Sequence, residues 1–413
     1  MEVAGVAVVV DPALAGRVLL FALGGVAVGT VTGLIPGLHA NNFALLLASV
    51  APSIPGPPAL VGAAMLAAGV AHTFLDVVPS VSLGVPDAAM AAAALPGHQL
   101  VIDGRGREAL RLSALGSGLA ALLALPLAWP VTEVMVRVYP LLRPNIATVL
   151  VAAAVFLVAT EPTPRARLGG LAAVAASGVL GVVALDVDPG APLDAGGMLA
   201  PLFAGLFGAP VLLDAMGGEG VPPQADAVVT VPRAVVATTA LSGTVAGAAV
   251  GYLPGISSAI AAVLVLTFVP STAGPRGFLV TTSGVNTANT IFAIFSLVAL
   301  GSPRTGVLVA LDSANVPLNL PLLLGAVAVA AAISFPLVWV VGDRYLRAVG
   351  RIDYTRLSLA ILAGLVVIAY LFAGPLGVLA FVAAAGLGLL PPRTGSKRVH
   401  LMGVLMVPII LGP

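Results

Sequence analysis

Long apolar stretches, broken by short polar or Pro-Gly punctuation, run through most of the chain. Several approach or exceed the ~20 residues that cross a bilayer as a helix. Each half opens with a predicted helix, about 13–34 and 231–253, that stops at a Pro-Gly pair. A short apolar segment follows each stop (38–51 and 256–269). At ~1.5 Å per residue such a segment covers only about 20 Å, less than the ~30 Å of hydrocarbon. Next come apolar stretches with scattered polar residues, 60–83 and 278–300. The charged piece "LPGHQLVIDGRGREALR" (Leu95–Arg111) is expected to be a surface loop or arm. Ordinary spanning helices complete each half, for about ten to fourteen membrane segments with the broken ones included.

The chain repeats itself. "LGGVAVGTVTGLIPGLHANNFALLLASVAPS" (Leu23–Ser53) aligns with "LSGTVAGAAVGYLPGISSAIAAVLVLTFVPS" (Leu241–Ser271), identical at ten of 31 positions at an offset of 218. Later echoes keep the same order: "AHT" at Ala71 with "ANT" at Ala288, "LGVP" at Leu83 with "LGSP" at Leu300, "PLAW" at Pro126 with "PLVW" at Pro336, and "GLFGAPVLL" at Gly205 with "GVLMVPIIL" at Gly403. Two tandem repeats, 1–225 and 226–413, are the expected domains, joined by the polar linker "GGEGVPPQAD".

Charge predicts that the second repeat is inverted. Arg344, Arg347, Arg351 and Arg356 precede an apolar stretch, and Arg393, Lys397 and Arg398 follow it. Gly374–Pro375 splits that stretch into two passes, so both basic ends lie inside under the positive-inside rule. In the matching stretch of repeat 1 the middle loop carries Arg165 and Arg167, and the far end carries Asp186, Asp188 and Asp194. The loop that is outside in one repeat is inside in the other, although Arg137 and Arg143 fall outside in this scheme. The expected fold class is an all-α polytopic membrane protein with two inverted structural repeats and paired broken, re-entrant helices. Such repeats belong to transporters, and an elevator-type movement of the block holding both breaks is expected.

The breaks themselves carry the candidate chemistry. Proline removes a backbone donor and glycine relaxes the backbone, so helical carbonyls and N–H groups are left unpaired. In lipid each orphan costs several kcal/mol, so a break persists only inside protein or beside water. A helix restarting after Pro36-Gly37, near His39, Asn41 and Asn42, points its free N–H groups into the membrane, which makes an anion site. Repeat 2 builds the counterpart from Pro254, Gly255, Ser257 and Ser258. Asn286, Asn289 and Thr290 are candidates to line the same substrate site. An ionised Asp76 at mid-bilayer costs ~2.5–3.5 kcal/mol on insertion scales, so it needs a partner or a function. His72 and Asp76 lie four apart and share a helix face. With Thr73 they form the candidate ion-coupling group, either a proton relay or a Na⁺ site completed by carbonyls; an internal structural hydrogen bond is the alternative for Asp76. The ladders Gly25/Gly29/Gly33 and Gly243/Gly247/Gly251 have the spacing of close helix packing. Asp312, Asn315 and Asn319 share one possible helix face, or serve as loop and cap residues.

Composition narrows the class further. The chain of 413 residues is 59% hydrophobic and 8% charged, too little charge to cover a soluble surface of that length. The net charge of +1 suggests no nucleic-acid partner, and the lack of cysteine excludes disulfides and thiolate metal sites. The N-terminus lacks the basic region of a cleaved signal peptide, so Met1 onward is expected to be retained. No His-Glu-x-x-His, Gly-x-Ser-x-Gly or Walker loop occurs, so neither catalysis nor ATP-driven pumping is expected.

With "GLIPGLHANN", "GYLPGISSA" and "LGVPDAAMAAAALPGHQLVIDGRGREALRLSALGS" in view, the chain resembles the large membrane subunit of the tripartite tricarboxylate transporters, a TctA-like permease, in a short archaeal-type branch. The resemblance covers most of the chain. It implies a Na⁺- or H⁺-driven carrier of small organic anions such as di- and tricarboxylates in the cell membrane, with a small membrane subunit and an external binding protein as partners. It also implies that Pro36, Gly37, Asn41, Asn42, Pro254, Gly255, Ser257 and Ser258 present donors to carboxylate oxygens. A homodimer is a further possibility for the scaffold. The alternative is a flippase for polyprenyl-phosphate lipid carriers, which also duplicate a Pro-Gly-x-Ser break like "LPGIS".

Overall fold

The computed structural model describes residues 2–3, 6–7, 11–36, 38, 40–84, 94–193, 197–216, 221–226, 228–253, 256–266 and 273–412. Apart from a two-residue antiparallel ladder, Glu2–Val3 with Val6–Ala7, the regular elements among these residues are helices. In chain order the helices are α1 (Pro12–Gly33), α2 (Ala40–Val50), α3 (Pro58–Leu75), α4 (Val77–Leu83), α5 (Ala94–Ile102), α6 (Gly106–Leu142), α7 (Ile146–Ala159), α8 (Pro164–Ala184), α9 (Leu199–Phe203) and α10 (Ala209–Ala215). The second half contributes α11 (Arg233–Tyr252), α12 (Ser258–Leu266), α13 (Gly274–Leu300), α14 (Gly306–Ser313), α15 (Leu320–Val349), α16 (Tyr354–Gly388), α17 (Leu390–Thr394) and α18 (Gly403–Leu411). Among the described residues, eight helical spans are long and apolar enough to cross a membrane. The short α2 and α12 follow their breaks where the sequence predicts them.

The glycine ladders explain why α1 lies on α3 and α11 on α13. A Cβ at Gly29 would overlap the Ala68 carbonyl oxygen, and one at Gly247 would come within 2.9 Å of the Val285 carbonyl oxygen. Only a residue without a side chain lets the backbones approach so closely, which is how helices associate when lipid offers no hydrophobic drive. The α3 helix, continued by α4, is buried along nearly its whole length, whereas α1 shows lipid-facing leucines and valines such as Leu20 and Val31.

The two halves exchange helices. The long α6 packs on α13 and α11, and its counterpart α15 packs on α3 and α1. The distal helices do the same. A Cβ at Gly205 would meet the Phe381 carbonyl of α16 at 2.5 Å, and a Cβ at Gly403 would run into the Val174 carbonyl of α8.

The predicted split at Gly374–Pro375 is present. Inside α16, Ala373 and Gly374 leave helical geometry, with Gly374 at φ 54°, a left-handed conformation suited to glycine. A straight helix would hold Ala369 and Gly377 about 12 Å apart along its axis. Instead a Cβ at Gly377 would lie 2.5 Å from the Ala369 carbonyl oxygen, so the halves of α16 fold against each other at the break. The break receives Leu193 N–H on the Leu371 carbonyl at 3.1 Å and Gly197 N–H on the Phe372 carbonyl at 2.7 Å. On the other hairpin, between α7 and α8, Glu161 accepts the Lys397 N–H at 2.9 Å and meets His400 Nε2 at 2.7 Å. Arg165 there donates to the Arg393 carbonyl at 2.8 Å. The middle of each hairpin thus sits beside the far end of the other.

One expectation needs correction. The stretch 95–111 is not a loop or arm: it forms α5 and the first turns of α6, with Leu100 and Val101 buried. Its charge can be packed because it is neutralised by other elements. Glu108 is buried, binds Arg276 through both oxygens at 3.0 and 3.2 Å, and pairs with Arg105 at 2.7 Å. The linker docks on the same corner, where Gln224 Oε1 accepts the Gly106 N–H at 2.6 Å and Ala225 N–H reaches the Gly104 carbonyl at 2.8 Å. For Asp312, Asn315 and Asn319 the loop-and-cap alternative holds. They do not share a helix face: Asn315 turns the chain at φ 50°, and Asn319 caps α15 by accepting the Leu322 N–H.

Replacing Gly29 by Ala is expected to lower stability by about 1–3 kcal/mol through overpacking. Gly24→Ala is the control, since a Cβ there meets nothing within 4 Å. Thermal unfolding of the two purified variants in detergent checks this; equal melting temperatures would remove the ladder from the account.

Candidate functional site

Both breaks are built alike. The α1 helix ends at Gly33, whose missing side chain admits the Leu75, His72 and Asp76 backbone; a Cβ would lie 3.0 Å from the His72 carbonyl oxygen and 3.2 Å from the Asp76 nitrogen. The α11 helix ends one residue beyond Gly251, where a Cβ would lie 3.2 Å from the Asn289 carbonyl oxygen and 3.0 Å from the Ala293 nitrogen. His72 and Asn289, aligned in "AHT" and "ANT", therefore occupy matching places beside the two breaks.

At the second break Ser257 caps α12, its Oγ accepting the Ile260 N–H at 3.3 Å. Ser258 is buried, and its Oγ receives Asn289 Nδ2 at 3.4 Å. Asn289 Oδ1 and Thr287 Oγ1 are buried and meet no hydrogen-bond partner among the described residues. Unsatisfied buried acceptors and hydroxyls are rare and call for a ligand, an ion or water. At the first break Pro36 is half-buried, and α2 restarts the helix at Ala40 with Asn41 and Asn42 in its first turn. Gly37, His39, Pro254 and Gly255 lie outside the described residues.

The ion-coupling candidates are buried on α3 and at its end. His72 Nδ1 lies 3.2 Å from Thr32 Oγ1, and its ring stacks on Phe43 of α2 at 5.3 Å and 5°. This clamps the first turn of α2's apolar face to α3. Thr73 donates within its own helix to the Val70 carbonyl. Asp76, 4% exposed, sits where α3 passes into α4, and Ser80 Oγ donates to its carbonyl at 2.7 Å.

One hydrogen bond joins the two half-sites. Asn286 Nδ2 on α13 donates to Asp76 Oδ2 at 2.7 Å. Asn286 is three residues before Asn289, so both stand on neighbouring turns of one helix face. Two hydrogen bonds on neighbouring turns of α13 thus reach Asp76 beside the first break, through Asn286, and Ser258 at the second, through Asn289. Thr290 is buried one residue beyond.

Sequence reasoning found Asp76 and Asn286 but not their pairing. It also passed over Thr32, the His72 partner, and Phe43, its stacking partner. Thr32 could have been noticed as a hydroxyl in the last turn before the break; Phe43 gave no signal in a chain of apolar residues. The short helices are held differently in the two halves: α2 packs mainly on α14, whereas α12 packs on α11 and α13.

An all-helical, multi-pass membrane protein with two broken helices joined by buried polar side chains is the class that this fold and site define. Residues 19–403 match the tripartite tricarboxylate transporter TctA family, and the chain belongs to that family. It is also 26% identical over 404 residues to an uncharacterized protein of Methanocaldococcus jannaschii, covering 95% of this chain and 98% of the relative. No solved structure matches.

Asn286→Ala is expected to cost about 1.5–3 kcal/mol, because a hydrogen bond to a buried charged group is lost. Asp76→Asn in the same background should cost little more. A double-mutant cycle on thermal stability measures the coupling; additive losses would mean that the pair does not act as a unit.

Proposed function

We propose that this protein is a secondary active transporter that moves small organic anions, of the di- and tricarboxylate kind, across the cell membrane by ion-coupled alternating access. The Asp76–Asn286 hydrogen bond carries the reading, since it links the helices packed beside the two breaks. The carboxylates of the substrate would be held by the free N–H groups that open α2 and α12, with Asn41, Asn42, Ser257, Ser258, Asn289 and Thr290 adding side-chain donors. Pro36-Gly37 and Pro254-Gly255 would serve to stop the preceding helices, and His39 to line the first break. Helix N-termini favour negative charge through their dipoles and unpaired donors.

The halves 1–225 and 226–413 are read as inverted repeats. Support comes from the hairpins, in which the middle of each lies beside the far end of the other. The exchanged packing of α6 and α15 on the opposite half supports the same reading. The unequal seating of α2 and α12 supports alternating access, because equivalent parts of one chain hold two arrangements. The block holding both breaks would move as an elevator against a scaffold of the remaining helices, which would form the contact of a homodimer.

Asp76, with His72 and Thr73 nearby, is the proposed coupling group for Na⁺ or H⁺. The family implies a small membrane subunit and an external substrate-binding protein as partners. No chemical reaction is assigned to the chain. The lipid-carrier alternative requires a lateral opening at the breaks. A groove of about 320 Å³ beside α1 is lined, among the described residues, by apolar residues of α1, α2 and α3 such as Phe21, Leu47 and Met65.

Ser257→Ala and Asn289→Ala are each expected to weaken uptake of radiolabelled citrate or succinate by roughly 10–100-fold, with expression unchanged. Unaltered transport in proteoliposomes would exclude the second break from the site. Asp76→Asn is expected to abolish the dependence of uptake on the Na⁺ or H⁺ gradient; an unchanged dependence would move coupling elsewhere.

A further inference from the structure

A second polar site lies far along the chain from the breaks. The start of α6 and the end of α15 border an open cavity of about 440 Å³ lined by Arg107, Arg111, Arg344 and Arg347, with Asp226 and Asp343 as its acids. A smaller cavity of about 190 Å³ adjoins it, runs under the linker at Val221–Gln224 and ends at Arg351. Five arginines thus line the two adjoining cavities, and two of them, Arg107 and Arg347, pair with Asp343.

The acids orient the arginines without neutralising them. Asp343 is shared, accepting from Arg107 Nε at 2.6 Å and from Arg347 Nη2 at 2.9 Å. Asp226, 98% exposed, lies 3.3 Å from Arg107 and is screened by solvent. Arg344 donates to the Val340 carbonyl in its own helix. A positive helix C-terminal turn is ordinary, because the dipole there favours cations. Arg107 and Arg111 stand at the opposite, positive end of a helix, where the dipole opposes them. A general excess of basic residues on the inner side accounts for charge near the interface, but not for its convergence from two helices onto one cavity.

The far wall of the cavity is apolar. Leu110, Trp339 and the 47% exposed Val340 line it, and Trp339 packs edge-on against Phe335 at 4.8 Å. Tryptophan is enriched at membrane–water interfaces. A cationic cradle for phosphate next to a lipid-facing apolar strip matches an amphiphile more closely than a free anion, which would use only the cradle.

We propose that this cleft seats the phosphate of an anionic membrane phospholipid, with its acyl chain laid along Val340 and Trp339. Basic pockets between membrane helices on the inner face suit such headgroups. The site is independent of the transport reading. Because its neighbouring wall is the linker, a bound lipid would tie the corner of α6 to the end of α15.

The test uses the full chain in detergent, measuring thermal stabilisation and native mass-spectrometric retention of added lipid. Phosphatidylglycerol, phosphatidylcholine and inorganic phosphate are compared. Phosphatidylglycerol is expected to bind and stabilise, while phosphatidylcholine and millimolar phosphate are not. Arg344→Gln combined with Arg347→Gln should weaken phosphatidylglycerol retention roughly 10–30-fold. Val340→Asp, which leaves every arginine in place, should weaken it as well. Arg137→Gln, on an exposed side chain elsewhere on α6, should leave it unchanged. Equal retention by wild type and Val340→Asp would overturn the lipid assignment. So would equal stabilisation by phosphate alone, which would make the cleft a free-anion site.

Discussion

Hydrocarbon has no hydrogen-bonding groups to offer, and this constraint organises the molecule. Two apolar helices are cut short, and each cut is roofed by protein. The glycine ladders supply the roof by letting α3 and α13 lie almost backbone to backbone against the cut helices. That approach brings His72, Asp76 and Asn289 to the cuts. Once there, a carboxylate needs a donor, and Asn286 from the opposite half provides it. Packing of small residues, enclosure of the breaks and the polar bridge between halves are successive consequences of one solvent's inability to hydrogen-bond.

What the sequence made legible follows the same logic. The breaks were visible because proline and glycine act locally, and their duplication in "GLIPG" and "GYLPG" marked them as built features. The split of α16 was visible for the same reason, and its glycine does adopt a positive φ. Asp76 stood out through its cost in lipid. Its partner did not, because Asn286 is 210 residues away and a long-range pairing leaves no trace in periodicity. The stretch 95–111 was misread because charge density suggests solvent. Glu108 and Arg276 cancel across two elements that the sequence cannot place side by side. At the breaks, Ser258 is joined by its side chain to Asn289, whereas Ser257 only caps α12.

The exchange of helices makes the halves mutually dependent. Each core pair, α1 with α3 and α11 with α13, is flanked by a long helix from the other half. Their buried faces would be open to lipid if either half stood alone. Small-residue packing contributes little per contact, so many such contacts, spread over both halves, are needed to fix one arrangement.

That interlocking has a bearing on how the chain reaches its final form. During synthesis the N-terminal half enters the bilayer first, as domains generally do, yet α6 must wait for α13, and Asp76 for Asn286. A nascent chain halted after the linker would leave an acidic group in lipid without its eventual donor, held only by neighbours on its own side. The unfinished protein is thus marked as unfinished by its own electrostatics, a built-in signal that membrane quality-control proteases could read.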